Sequence, residues 1–293
     1  MAENKGSAVR PHAATRPRAM RPDLATIGGL ALALAGIIGG LVLEKGKVQD
    51  VAQVTAAIIV LGGTVGAVMV TTPLRTLGGA VRKLPEIFME SRQTPDAVIE
   101  QIILYATKAR KHGIVSLEDE TDSIDDPFLR KALSLAVDGT DLQELRRMME
   151  LDIALEERRG EEESRVYEAA GGYAPTIGII GAVLGLIQVM KHLANIDEVG
   201  RGIAVAFVAT VYGVASANIF FLPAGQKIRA RLQSLLEVRE LLLEGVLAIA
   251  EGLNPKLIRI KLEAYAHAHP EKPAFLSKHT ERLQRAAQAA TGD

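Results

Sequence analysis

Four stretches of the chain carry no charged residue: Leu24–Leu43, Val51–Leu74, Ala169–Met190 and Gly202–Gln226, of 20, 24, 22 and 25 residues. A helix rising about 1.5 Å per residue needs roughly 20 residues to cross the hydrocarbon layer of a bilayer. A buried helix of that length in a soluble protein keeps a polar stripe, and none of these does, so they predict four membrane-spanning helices. They fall in two pairs, within 21–74 and 169–226, each closed by a short connection, which predicts two helical hairpins. The first run does not read as a secretory signal, because it ends in Glu44-Lys45 with no small-residue cleavage pattern and another span follows at once.

Between the pairs, the spacing of apolar positions changes. Thr94-Pro95-Asp96 is an N-cap with proline in the first turn, and Val98, Ile99, Ile102, Ile103 and Ala106 recur on one face up to Gly113. Asp126-Pro127 opens a second helix, with Leu129, Leu133, Leu135 and Val137 before Gly139. Thr140-Asp141 opens a third, rich in Glu and Arg, which runs towards the third span. Residues 75–168 are therefore a helical insertion. Beyond the fourth span, in 227–268, Leu232, Leu235, Leu236, Leu242, Leu243, Val246, Ile249 and Leu253 form an apolar stripe among charges. This is a long amphipathic helix, ended by Gly252 and Asn254-Pro255. Glu244 and its charged neighbours exclude a fifth span. Residues 1–20, rich in Ala, Arg and Pro without periodicity, read as a disordered basic tail, and 269–293 as a mobile one.

Composition alone hides this division: 48% hydrophobic and 24% charged residues in 293 resemble a soluble protein. Charge placement adds the orientation. Of 34 Lys and Arg residues, 30 fall in the tails and the insertion, and 4 in the loops 44–50 and 191–201. Positively charged segments stay inside, so both termini and the insertion are expected in the cytoplasm. A net charge of −1, with no basic block or aromatic stacking platform, points to no nucleic-acid partner. No cysteine is present, which removes disulfides and thiol chemistry.

No enzyme signature is found: no phosphate-cradling glycine loop, no HExxH, no GxSxG, and no ligand-spaced Cys/His cluster. His267 and His269 read as a solvated pair. No metal site or cofactor is expected. Small residues recur at intervals of four, as Gly36/Gly40, Gly62/Gly66 and Gly181/Gly185, a spacing that lets helix backbones approach. Packing within one chain and assembly of several chains both fit it. Ala206, Thr210, Gly213 and Ala217 share one face of the fourth span, as Gly178, Ala182 and Gly185 do in the third. Thr210 either bonds back to its own helix or faces a pore. Pro175 and Pro223 read as helix-end caps or as hinges. No Asp, Glu, Lys, Arg or His lies inside any span, yet proton relays and ion-coupled pumps need an ionisable group at membrane depth. An ion-conducting role therefore requires a titrating group from another chain.

Several motifs, in order, carry a resemblance. They are Gly172-Tyr173-Ala174-Pro175-Thr176-Ile177-Gly178-Ile179-Ile180-Gly181-Ala182-Val183-Leu184-Gly185-Leu186, then Ala204-Val205-Ala206-Phe207-Val208-Ala209-Thr210-Val211-Tyr212-Gly213, Ser216-Ala217-Asn218 and Phe220-Phe221-Leu222-Pro223. Ala109-Arg110-Lys111-His112-Gly113, Leu117-Glu118, Val137-Asp138-Gly139 and Glu251-Gly252-Leu253-Asn254-Pro255 also fit. Over about residues 21–265 the chain resembles the flagellar stator subunits of the MotA and PomA type, within the MotA/TolQ/ExbB family. Four spans match these better than the three of TolQ or ExbB.

The resemblance implies an all-α membrane protein of the bacterial inner membrane and a flagellar stator subunit. It implies a homopentamer around two copies of a single-span MotB/PomB-type partner, which brings the ion-binding aspartate. Ion flow would rotate the pentamer and turn a FliG-type rotor protein. Arg110, Lys111 and Glu118, with Asp152, match the rotor-facing charges; Pro175 and Pro223 match the coupling prolines. Thr210 matches a pore-facing threonine and Asp50 an acid near the outer mouth. Sodium-driven relatives have threonine where this chain has Ala182. A methyl group offers no oxygen to Na⁺, so protons are the expected ion, with Thr176 and Thr210 keeping Na⁺ open. The alternatives are a TolQ/ExbB-like energiser of an outer-envelope process, a sodium-driven stator, and a non-conducting scaffold.

Overall fold

The computed structural model describes residues 21–90 and 94–268, so the tails expected at 1–20 and 269–293, with His269, lie outside it. The first span forms α1 (Leu24–Leu43), capped by Asp23, whose carboxylate accepts from the Thr26 N–H. A short α2 (Val48–Val51) precedes the second span, α3 (Val54–Thr71), which contains a π-helical segment at Ile58–Gly62. At Thr72 the backbone turns extended (φ −127°, ψ 131°) ahead of Pro73, and α4 (Leu74–Phe88) begins. The sequence reading placed no helix at α4. Its end continues into β2 (Met89–Glu90), which pairs antiparallel with β1 (Arg21–Pro22), the sole departure from helix among the described elements.

The insertion follows the expected signals. Thr94 caps α5 (Pro95–His112), and Gly113 turns out of it at φ 81°, a left-handed value suited to glycine. A 3₁₀ turn at Ile114–Leu117 leads to α6 (Glu118–Thr121), and Asp126 caps α7 (Pro127–Val137). The next helix has no break at the membrane. α8 runs from Leu142 to Lys191, 50 residues, and α9 from Ile196 to Ala250, 55 residues with a π-helical segment at Ser216–Phe221. The divisions placed at 168/169 and 226/227 thus fall inside continuous helices. Pro175 accordingly lies in the interior of α8, not near the start of a helix. Finally, α10 (Pro255–Ala268) folds back after Gly252.

Two packing regimes result. Outside the spans, Ile99 and Ile102 (α5), Leu129 and Leu133 (α7), Leu145 and Met149 (α8), Leu242 and Leu247 (α9), and Ile258 and Leu262 (α10) form one buried core. The far half of α9 is its central helix, because residues 241–243 and 245–249 are all buried. Glu244 interrupts that run. Burial opposes its charge, but hydrogen bonds from Arg146 (2.7 Å) and Lys261 (2.8 Å) prevail and hold its carboxyl below the usual range. In the spans, α8 and α9 lie along each other, α3 packs on both, and α1 touches only α2, α4 and the π segment of α9 to any extent. The first two spans are consecutive but scarcely in contact.

Candidate functional site

The contact between α8 and α9 is made backbone to backbone. A Cβ on Gly178 would sit 2.9 Å from the Ala209 carbonyl, and one on Gly185 2.8 Å from the Ala206 nitrogen and the Gly202 carbonyl. Gly181 meets Ala209 and, from the second span, Ile59. The small-residue spacing of these two spans is therefore consumed inside one chain. Thr210 donates to the Ala206 carbonyl at 3.2 Å, the back-bonding alternative, and is half-buried. Thr176 donates to the Tyr173 carbonyl at 2.8 Å and is exposed, while Ala182 is half-buried beside the Gly178–Gly185 face.

These residues do not enclose a channel. Instead α8 presents Thr176, Ile180, Val183 and Ile187 outwards, and α9 presents Phe207, Val211, Val214 and Asn218. Asn218 donates to the Val214 carbonyl at 2.9 Å, yet remains exposed at span depth. Sequence reading gave it no role; a lone amide on an otherwise apolar outward stripe is the signal for one. A cavity of about 560 Å³ opens at the 191–201 end of the pair, lined by Lys191, His192, Glu198 and Arg201 together with Gly185, while Asp50, Thr176, Ala182 and Thr210 do not border it.

The prolines meet at one crossing. Pro175 has no N–H, so the Gly171 carbonyl one turn earlier loses its helical donor. Gly171 packs against Leu222, where a Cβ would approach the side chain to 2.5 Å, and Leu222 adjoins Pro223. Pro223 itself follows the π-helical segment Ser216–Phe221, which absorbs the ladder disruption a proline causes. Gly213 lies over Pro175 as well, its Cβ position 3.2 Å from the Pro175 Cα. Neither proline caps a helix end. Both sit where two continuous helices have softened hydrogen-bond ladders in contact.

At the other end, Tyr212 reaches α2. Its hydroxyl donates to the Val51 carbonyl (2.6 Å) and accepts from the Gln53 N–H (3.3 Å), reinforcing the turn in which those two groups also bond each other at 3.1 Å. Asp50 is exposed in α2 and accepts from the Lys47 N–H at 2.8 Å. The opposite end has its own tie. Asp23, 6% exposed, binds Lys227 (2.5 Å) and Arg231 (2.7 Å) of α9, and its N–H donates to the Phe88 carbonyl. The Lys227 hydrogen bond holds its carboxyl down to about 2, despite burial. Tyr212 lies within a motif quoted above but was given no role there, and no motif signalled Asp23.

Among the charges expected to face a rotor, Arg110 and Lys111 end α5 and Glu118 starts α6 across one turn anchored by buried Leu117. All three are exposed on that corner and form no ion pair among the described residues. Asp152 differs: it binds Lys131 of α7 at 2.5 Å and lines a separate cleft.

Comparison with known proteins adds the following. Residues 120–241 match the model of the MotA/TolQ/ExbB proton channel family, and 27–113 that of the motility protein A N-terminal region. Motility protein A of Helicobacter pylori is 36% identical over 254 residues, covering 86% of this chain and 99% of that protein. A C. jejuni MotAB structure aligns with a TM-score of 0.78 at 33% identity, covering 83% and 95% of the two chains. The flagellar MotAB stator complex of Bacillus subtilis aligns at 0.76 and 33%, covering 90% and 100%.

Proposed function

We propose a working cycle for this chain, which belongs to the MotA/TolQ/ExbB proton channel family and is the ion-channel subunit of a flagellar stator in a bacterial inner membrane. It acts in complex with a MotB-type partner. One observation carries the cycle: within the charge-free runs 169–190 and 202–226, the faces of α8 and α9 that a single chain leaves uncovered bear no ionisable side chain. The group that takes up and releases the ion must then belong to the partner, whose span is walled by several copies of these faces. Five copies around two partner chains is the arrangement proposed here, with both termini and residues 75–168 on the cytoplasmic side.

The transported ion in this cycle is the proton. A hard metal cation wants several oxygen ligands. Ala182 supplies none, which leaves the Thr176 and Thr210 hydroxyls, whose protons go to carbonyls of their own helix but whose lone pairs stay free. Protonation neutralises the partner's carboxylate and changes which copy of the wall it favours. The crossing of Pro175 and Pro223 gives way between those states, and the corner of Arg110, Lys111 and Glu118 transmits the step to a FliG-type rotor protein. Asp50 lies at the entry. Each charge moved across 100 mV supplies about 2.3 kcal/mol.

Vesicles containing this chain with its partner test the cycle by proton uptake under an imposed potential. Flux is expected from the pair, and is expected to vanish when the partner's membrane carboxylate becomes an amide. Flux from this chain alone would sink the reading. For ion choice, Ala182→Thr is expected to raise sodium dependence of swimming; no change removes this position from the argument.

A further inference from the structure

A cleft of about 740 Å³ lies outside the spans, between the start of α4, α7, α8 and Arg239 of α9. Most of its charges are matched. Lys131 binds Asp152 at 2.5 Å, Arg158 binds Glu162 at 3.2 Å, and Arg239 approaches Glu156 at 3.9 Å while lying over the Phe128 ring. Three are left over. Arg75 and Arg159 make no hydrogen bond or ion pair among the described residues, and Glu163 is 7% exposed with an Oε2 that has no hydrogen-bond partner. The other oxygen occupies the space left by the missing side chain of Gly79 in α4, with Oε1 2.3 Å from where a Cβ would stand. Burial raises the Glu163 carboxyl above its usual range, with Glu156 and Glu86 adding to this and Lys83 and Arg159 opposing it. An unpartnered buried carboxylate is costly and calls for a donor.

The position narrows what that donor can be. Arg75 is four residues past Thr71, where the second span ends, and Glu163 is six residues before the apolar run that starts at Ala169. At about 1.5 Å per residue, Glu163 lies roughly 9 Å below the start of that run. Both therefore sit at headgroup depth. The exposed face of α4, with Leu74 72% and Val81 56% exposed, continues the uncovered surface of α3, where Val70 is 87% exposed. The cleft mouth thus opens beside lipid. We propose that this cleft holds an aminophospholipid headgroup, its phosphate on Arg75 and Arg159 and its primary ammonium on Glu163. The charge pattern matches term for term: two guanidiniums that form no ion pair among the described residues for one phosphate, and one carboxylate that forms none for one ammonium. Guanidinium–phosphate and ammonium–carboxylate hydrogen bonds are both of the stronger, charge-assisted kind.

Native mass spectrometry of the complete complex, exchanged into mixed phosphatidylethanolamine, phosphatidylcholine and phosphatidylglycerol, tests this. Phosphatidylethanolamine is expected to be retained about tenfold over phosphatidylcholine, whose methylated ammonium cannot donate a hydrogen bond. E163Q is expected to abolish that preference while phospholipid retention persists, and the double variant R75Q/R159Q to lower retention of all three. E162Q, at an exposed and already paired carboxylate, is expected to change nothing, which separates the effect from general destabilisation. Equal retention of the three lipids by the unaltered complex overturns the proposal. So does competition by soluble phosphoethanolamine at the same concentration as the lipid, which would make the ligand a free phosphate ester. A changed subunit number in E163Q with unchanged lipid retention overturns it too, because a neighbouring copy would then fill the cleft.

Discussion

The first span and the third-to-fourth pair use the same small residues in opposite ways. In α8 and α9, glycines are sites of contact: a Cβ on Gly213 would lie 2.6 Å from the Ala174 carbonyl and 3.0 Å from the Gly178 Cα. In α1, Gly28, Gly29, Gly36, Gly39 and Gly40 all have open space where a Cβ would go, and no residue of the helix is buried. Glycine costs helix stability wherever it stands, by about 1 kcal/mol relative to alanine. In the pair, that cost is offset by close backbone approach within the chain. In α1 it is not, so its glycine face serves lipid or another chain.

The sharpest test of this contrast is a matched pair of substitutions. Gly213→Val drives side-chain carbon into backbone atoms that cannot rotate away, and is expected to cost about 3 kcal/mol or more. Gly36→Val is expected to stay within about 0.5 kcal/mol. Thermal unfolding of the purified chain in detergent measures both, and similar losses would erase the distinction. Next in size is Asp23→Ala, which cuts the main polar tie between α1 and α9 and leaves Lys227 and Arg231 without their shared carboxylate. A loss of about 2 kcal/mol is expected, moderated because both cations are partly exposed. The pH dependence has a definite sign. The Asp23 carboxyl is held near 2 in the folded chain, below its ordinary 3.8, so the stabilisation is complete above about 4. It fades as pH falls towards 2, and Asp23→Asn is expected to flatten that part of the melting-temperature profile.

A smaller effect is expected from Tyr212→Phe, which leaves the Val51 carbonyl and Gln53 N–H without their hydroxyl partner, at about 1 kcal/mol. Faster hydrogen exchange at the Gln53 amide would locate it, and an unchanged rate would show that the break between α2 and α3 does not depend on this contact. The smallest stability effect belongs to Arg110→Ala combined with Lys111→Ala. Both side chains are exposed and form no ion pair among the described residues, so the melting temperature is expected to hold while swimming speed falls. A chain that unfolds with this pair removed would place them in the scaffold and not at the rotor.

Much of this architecture was legible before any coordinates. Charge-free runs mark the spans because lipid tolerates neither charge nor unpaired backbone, and the first run coincides with α1 residue for residue. Thr94-Pro95 and Asp126-Pro127 marked helix starts correctly, because capping is local chemistry. The helix α4 was missed, since its first residue lies inside a charge-free run and its apolar face declares itself only against Tyr167 and Ile228. The proline roles were misjudged for a related reason. Helix ends were sought at the membrane boundary, but α8 and α9 cross it unbroken, which needs no local signal.

What the chain determined by itself is its class: four spans, helical segments outside them, and a membrane interior without a titrating group. These follow from transfer energies and short-range capping, which composition and spacing express directly. Tertiary structure alone decided which glycines touch backbone, that Pro175 and Pro223 share a crossing, that Tyr212 and Asp23 tie the helix ends, and that Glu163 Oε2 finds no donor among the described residues. Each depends on residues tens to hundreds of positions apart, and their approach is set by how whole helices pack, which no local pattern encodes.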